Sequence, residues 1–298
     1  MSYDETNPWE SEIKEGIESV LKGKAQIKYV YLNTKYNYPQ GSEYARKAYA
    51  LYQGFRPDGV IAADDDAQSL FVVPYLKNRV KTPVMFCGVN SEAGQYGYPA
   101  ENVSGILERS HISESIALLQ QLVPSVKKVA YITPDDSMGK IHKRQIEREA
   151  ASYSAKSLPV RQVKNLDEAV SVTKELKSRS DALILLSMVS LRDSANNQPA
   201  YKHIFQTLSE HYGKPIISVG DFEIRHGLLC AVVKSGREQG ATASKMLLRA
   251  MTGTPLSQIP ITTNNEGKRM INVTVMKSLG IKPRPIVLRG TELVKTEE

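Results

Sequence analysis

Short apolar runs alternate with amphipathic stretches along nearly the whole chain. The clearest run is Val60-Ile-Ala-Ala63, behind the turn signal Arg56-Pro57-Asp58-Gly59. This is the pattern of a strand covered on both faces of a parallel sheet. It stops on Asp64, Asp65 and Asp66, and the residues that follow predict a helix over about 67–77. The three acids therefore fall at the carboxyl edge of a strand and at a helix N-terminus, where open α/β sheets place their ligands. A single Asp there serves equally well as a helix cap and a complement to the helix dipole. Three together make the turn a candidate site.

The same alternation organises the rest. Ile13, Ile17, Val20 and Leu21 give a helix over about 10–22; Ile27 to Thr34 is β-branched and aromatic, as a strand should be; 42–54 reads as helix. Strands follow at Val84–Asn90 and Val103–Glu108, separated by the polar loop 91–101. The pattern then restarts with a helix from Ser110 to Val123 and a strand from Val129 to Thr133. After the turn Pro134–Gly139 come a helix over 141–154, a strand at Val160–Val163 and a helix over 166–178. A strand from Ala182 to Met188, a helix over 200–212 and a strand from Pro215 to Asp221 complete this run. Ala231–Ser235 predicts a strand, 236–251 a helix, and Ile259–Thr263 an extended segment, with Arg269–Leu279 and Pro285–Val294 closing the chain.

Alternation of this kind predicts a doubly wound α/β fold, here as two α/β lobes of similar plan joined near 108–112, with a ligand cleft between them. The first lobe is expected over 1–109 with a returning segment around 232–255, and the second over 110–231, with the tail 256–298 packing across the lobes. The first lobe opens on a loop and a helix where a β-α series opens on a strand. Its first strand is therefore expected upstream, together with any export signal.

Composition narrows the function. With 41% hydrophobic and 24% charged residues in 298, the chain is globular and has no run approaching a membrane span. The net charge of +7 is carried by scattered Lys and Arg, the pattern of a solvated surface rather than a nucleic-acid interface. Cys87 and Cys230 each lie in an apolar run and read as two separate, reduced core residues. The five histidines show no metal-ligand spacing, and Gly236-Arg-Glu-Gln-Gly240 lacks the spacing of a dinucleotide loop. No activated nucleophile stands out, so no catalytic residue, metal or cofactor is assigned. A Mg-dependent enzyme built on the acidic turn is the weakest alternative, because no Lys/Thr partner pattern accompanies it.

Four stretches carry a family resemblance: Ser2-Tyr-Asp with Asn7-Pro-Trp9; Ile61 to Ala67; Val129 to Ser137; and Ile271-Asn-Val-Thr-Val-Met-Lys-Ser-Leu-Gly-Ile-Lys-Pro with Pro285 to Val294. Together they resemble the ABC-transporter substrate-binding proteins of the tryptophan/tyrosine-binding type, a family that also supplies extracytoplasmic sensor domains of histidine kinases. The resemblance implies a type I periplasmic-binding fold, two Rossmann-like lobes around a hinge with the interlobe cleft closing on a small molecule, and a periplasmic or extracellular location. The implied partner is a membrane permease or a sensor kinase module. The acidic turn, where a Thr-Pro-Ala-like turn is usual, and the Asn-Pro-Trp start look more like the sensor branch.

Carried over position by position, the implied ligand residues are Ser2, Tyr3, Trp9, Asp64, Asp65 and Asn90 in the first lobe. In the second they are Asp135, Ser137, Ser187, Met188 and Asp221. Carboxylates suit a ligand ammonium, hydroxyls and helix N-terminal amides a carboxylate or carbonyl, and an aromatic ring an apolar or cationic group. A polar, amino-acid-like metabolite is expected. The effector core of a LacI-like repressor is the alternative from a different class, since it shares this fold.

Overall fold

The computed structural model describes residues 1–297. In chain order the elements are α1 (Pro8–Leu21), α2 (Thr34–Asn37), α3 (Gly41–Phe55), β1 (Val60–Ala63), α4 (Asp64–Ala67), β2 (Val84–Val89), β3 (Val103–Leu107), α5 (Ile112–Leu122), β4 (Lys128–Pro134) and α6 (Ser137–Glu149). They continue with β5 (Lys156–Val163), α7 (Leu166–Lys177), β6 (Ala182–Leu185), α8 (Tyr201–Tyr212), β7 (Ile216–Ile217), α9 (Asp221–Arg225), β8 (Cys230–Lys234) and α10 (Gly236–Met251). Last come β9 (Thr262–Thr263), β10 (Gly267–Asn272), α11 (Val273–Ser278), α12 (Pro285–Leu288) and β11 (Glu292–Val294).

The chain divides into two compact units, one of residues 1–109 and 235–266 and the other of 110–234 and 267–298. The crossings thus fall at 109/110, 234/235 and 266/267. Residues 256–266 stay with the first unit and the closing segment with the second.

The first unit is a parallel sheet in the order β1-β2-β3-β9. Side chains alternate across it, as the period of two requires. Ala62, Val84, Phe86, Val103 and Leu107 pack with Ala45 of α3 and with Val72 and Leu76 of a π-helical stretch, Gln68–Leu76. Ala63, Met85, Cys87 and Ile106 pack with Ile13, Ile17 and Leu21 of α1 and Ala243, Met246 and Leu247 of α10. Helices α1 and α10 touch backbone to backbone. A Cβ on Gly16 would stand 2.1 Å from the Arg237 carbonyl oxygen, and one on Gly240 2.0 Å from that of Ile13. Both helices have side-chain N-caps, Asn7 and Ser235.

The second unit has a parallel sheet in the order β5-β4-β6-β7. Ala130, Ile132, Leu183 and Leu185 face α7 and α8, while Val129, Tyr131, Ala182 and Ile184 share a core with Ile112, Ile116 and Leu119 of α5 and Ile146 of α6. A small sheet, β11-β10-β8, adds the C-terminal segment to this unit. Cys87 and Cys230 are free and fully buried, one in each unit.

Several elements differ from the sequence reading; β6 ends at Leu185, short of Met188, and α6 begins at Ser137 rather than 141. Ile27–Thr34 is not a strand: it carries no strand assignment, and its described ladder-type bonds lie only at its end, where Leu32 and Thr34 donate to the carbonyls of Met1 and Ser2. Strand propensity alone does not make a strand without a neighbour to pair with. The helix expected from 67 starts at Asp64 itself and widens into π geometry around Pro74, whose missing N–H fits a loosened turn. The strand expected to reach Asp221 ends at Ile217, and Asp221 instead opens α9.

Candidate functional site

In the first unit the strand ends Ala63, Val89 and Leu107 define one carboxyl edge, and six of the nominated residues lie at or near it. Ser2 is fully buried. Its Oγ donates to the Ala63 carbonyl (2.7 Å) and accepts from the Ala67 amide (2.9 Å), so it pins the N-terminal segment to the acidic turn.

Tyr3, Trp9 and Asp64 come together. The Trp9 indole N–H donates to Asp64 Oδ1 at 2.9 Å, and the Tyr3 amide donates to Glu10 Oε1 at 2.7 Å. Asp64 and Glu10 are both buried, with no hydrogen bond described for Asp64 Oδ2 or Glu10 Oε2. Burial pushes both carboxyls above the usual carboxylate range, and the charges of Glu10 and Glu108 push Asp64 further. The half-buried Tyr3 phenol is raised in the same way, first by burial and then by Asp64, Asp66 and Glu108. The corner is aromatic and electronegative.

Asp65 has a different task. Its carboxylate accepts from the amides of Asn90 (2.9 Å) and Ser91 (3.1 Å) and from the Tyr96 hydroxyl (2.7 Å), fastening the loop after β2. The Asn90 side chain is held to the Gly88 carbonyl at 3.4 Å. Beside it, Arg109 reaches the carbonyls of Asn90 and Glu108 and lies 3.3 Å from Glu92.

In the second unit Asp135 is exposed, 3.3 Å from Gln162 and 3.7 Å from Lys140. Ser137 is exposed at the first position of α6, which Asp136 caps through the Gly139 amide (2.7 Å). Ser187 has a left-handed backbone, and its Oγ is 3.5 Å from His142 Nδ1; on the other side of that ring Ser110 Oγ is 3.3 Å from Nε2. Met188 is fully buried among Ala130, Ile132 and the α8 side chains. Asp221 is exposed at the start of α9, with its charge felt by the buried Glu223.

Sequence reasoning passed over Glu10, Glu108, Arg109, Gln239 and His142. Glu10 was signalled by its spacing, three residues after Asn7, the capping-box interval; it reaches back to the Tyr3 amide. Gln239 bridges the Gly88 amide (2.8 Å) and the Leu107 carbonyl (3.3 Å) from 151 positions away, and nothing local announces that.

The chain matches the family model described as ABC transporter substrate binding protein over residues 9–294. Among solved structures it is similar to an ABC domain in complex with L-Trp from Streptococcus pneumonia, at 19% identity and a TM-score of 0.67, covering 97% of this chain and 96% of that one. A ligand-free, open substrate-binding protein with adhesive properties from Clostridium difficile gives 16% identity and a TM-score of 0.77 over 99% and 97%. A conserved domain protein from Vibrio cholerae gives 16% and 0.64 over 99% and 97%. Among curated proteins, none matches the chain.

Proposed function

This chain belongs to the ABC transporter substrate-binding proteins, and we propose that it binds a small, amine-bearing, amino-acid-like solute through the carboxyl edges of its two parallel sheets. The family consists of binding proteins rather than enzymes, with the fold of two α/β lobes found in periplasmic binding proteins. No helix among the described residues is long and apolar enough to cross a membrane. We place its work outside the cytoplasmic membrane, handing solute to a permease or reporting it to a sensor kinase. Family membership favours this over a repressor's effector core.

The observation that carries the reading is the corner formed by Tyr3, Trp9, Glu10 and Asp64. Two half-buried rings stand beside two carboxyls that burial has made reluctant to ionise, Asp64 the more so through repulsion by Glu10 and Glu108. An ammonium arriving there relieves the repulsion, and an aromatic face accommodates it further. The relative that holds L-Trp supports a ligand of this class. Asn90 in the first unit and Asp135, Ser137, Ser187 and Asp221 in the second supply the remaining contacts in this proposal. Differential affinity for a closed form then drives lobe closure.

Calorimetry with a panel of amino acids, amines, purines and carboxylates tests it. At least one amino acid or amine is expected to bind and to raise the melting temperature. Asp221→Ala should weaken that binding by roughly 30-fold or more, the usual cost of about 2 kcal/mol or above for deleting one partner of a desolvated charged contact. Binding of dicarboxylates alone, with unchanged affinity in the Asp variant, would sink the proposal.

A further inference from the structure

Glu10, in the first turn of α1, and Asp64, the residue that follows β1, bring two carboxyls into one corner of the first unit. They are 1% and 3% exposed and lie within hydrogen-bond reach of each other. Each commits one oxygen to a donor of its own: Glu10 Oε1 accepts from the Tyr3 amide and Asp64 Oδ1 from the Trp9 indole. The other two oxygens, Glu10 Oε2 and Asp64 Oδ2, are buried without a donor. Two ionised carboxylates cannot bond to each other, because both only accept. Left in that state they combine unsatisfied buried acceptors with like charges side by side, and each defect is expensive in a dry site. One proton removes both, since it turns one carboxyl into a donor and halves the charge of the pair.

The charges around the pair favour that proton. Glu108 at the end of β3 repels Asp64, and Asp66 adds its charge to those of Asp64 and Glu108 at the neighbouring Tyr3 phenol. The buried Cys87 thiol on β2 feels Asp64, Glu10 and Glu108 as like charges and stays neutral. The Met1 ammonium and the Tyr3 and Ser2 amides pull the other way on Glu10, but the ammonium gives its own hydrogen bond to the Val30 carbonyl at 3.1 Å. Burial outweighs these, so both carboxyls stand above the usual carboxylate range and titrate as a unit. The donor set does not suit a metal ion in place of the proton: among the described residues, no three His, Cys, Asp or Glu side chains converge on a point that could hold one.

We propose that Glu10 and Asp64 share a single proton in the unliganded protein and that the ammonium of a bound solute replaces it, so that each solute bound releases one proton. The inference deepens the amine-binding reading above and rests on it. The exchange balances. The proton leaves the pair for solvent, the pair becomes two carboxylates, and the arriving ammonium supplies both the positive charge and the N–H donors that the two orphaned oxygens lack. A solute without a cationic group cannot make this exchange. Binding must also weaken in acid, because the proton competes for the same place.

The test is calorimetry of the whole chain with the L-amino acids and with methylammonium, each in phosphate and in Tris at neutral pH. The two buffers take up protons with very different heats, so the difference between them counts the protons released. About one per bound solute is expected, with the dissociation constant falling by up to about tenfold for each unit of rising pH while the pair keeps its proton. Glu10→Gln retains an acceptor for the Tyr3 amide and offers Asp64 an N–H where the proton stood. It should bind without proton release and with a flat pH profile. Asp64→Asn should do the same, since asparagine tolerates the left-handed turn. Infrared spectra of the unliganded proteins read the proton without any solute: the parent should show a neutral-carboxyl band at neutral pH that both variants lose. The buried Glu223 contributes equally to all three and cancels in the difference. Solute binding without proton release, or a band unchanged in both variants, would overturn the exchange and leave the amine-binding reading standing. If neither an amino acid nor methylammonium binds, that reading fails and the exchange falls with it, whatever the band shows.

Discussion

His142 offers a quantitative handle on the second unit. It is 4% exposed in α6, with Ser110 and Ser187 hydroxyls on its two ring nitrogens. Burial pushes its pKa from 6.5 to about 4; the Lys234 charge acts in the same direction, and Asp136 opposes it. The folded protein therefore keeps a neutral imidazole over a range in which the unfolded chain takes up a proton. The stabilisation is complete above pH 6.5 and is lost as the pH falls through 6.5 toward 4. Between pH 8 and pH 5 the loss amounts to about 2 kcal/mol. At pH 5 a free imidazole is protonated by roughly thirty to one while the buried ring stays neutral, and each factor of ten is worth about 1.4 kcal/mol. Glu223, raised by burial, works the other way in acid, so the raw profile mixes both.

His142→Gln isolates the histidine's contribution, since an amide bonds to serine hydroxyls but does not titrate. Native-state hydrogen exchange at the amides of β4 and β6 reads the stability of this unit alone; tryptophan fluorescence reports only Trp9, in the other unit. The parent should lose about 2 kcal/mol more than the variant between pH 8 and pH 5. Identical slopes, or a His142 resonance that titrates near 6.5, would refute the reasoning.

Gly240→Ala should destabilise the first unit by about 1–3 kcal/mol: the added Cβ meets the Ile13 carbonyl at 2.0 Å, an overlap larger than the roughly 1 kcal/mol gained in helix propensity. Gly54→Ala in α3, where a Cβ meets nothing within 4 Å, should instead be neutral or stabilising by up to about 1 kcal/mol in the same urea titration. Asp65→Ala should cost about 2–4 kcal/mol in unliganded stability, because it strands the Asn90 and Ser91 amides and the Tyr96 hydroxyl together; exchange should quicken across 90–96. If unliganded melting is unchanged, the loop-clamp role is wrong.

The parallel strands and the helices that cover them were legible because burial on both faces leaves unbroken apolar runs such as 60–63 and 182–185, and one-sided burial leaves helical spacing such as Ile13, Ile17 and Leu21. The candidate edge was legible for the same reason, since polar residues directly after an apolar run must lie where the sheet ends. What individual side chains do there was not. Asp64, Asp65 and Asp66 are equivalent as letters, yet Asp64 takes the Trp9 indole and Asp65 takes three donors from 90–96, assignments made by partners 25 to 55 positions distant. Ser2 read as a ligand contact through the family resemblance alone; only the fold shows both its bonds turned inward. The segment 27–34 has a strand's composition without a strand's pairing, and pairing is a property of what lies beside it.

Asp64 and Ser187 show how such an edge is made specific. Asp64 follows β1 and Ser187 comes two residues after the end of β6, and each adopts the left-handed conformation, at φ 65° and 53°. Glycine takes that conformation freely, whereas a residue with a Cβ does so at a cost of order 1 kcal/mol. Glycine at either place would relax the backbone but delete the group that the turn presents: the carboxyl that receives the Trp9 indole, or the hydroxyl beside His142. Inside β2, where the register with β3 shifts and a side chain would collide, the chain does use glycine: at Gly88, φ 67°, an added Cβ would lie 2.4 Å from Asp64 Oδ1. At these two strand ends, then, the left-handed position is given to a residue whose side chain carries a contact. In both units the backbone turn, rather than a freely chosen rotamer, sets the direction in which the polar group points, which is how a sheet edge holds a carboxyl or a hydroxyl in one orientation before any ligand arrives.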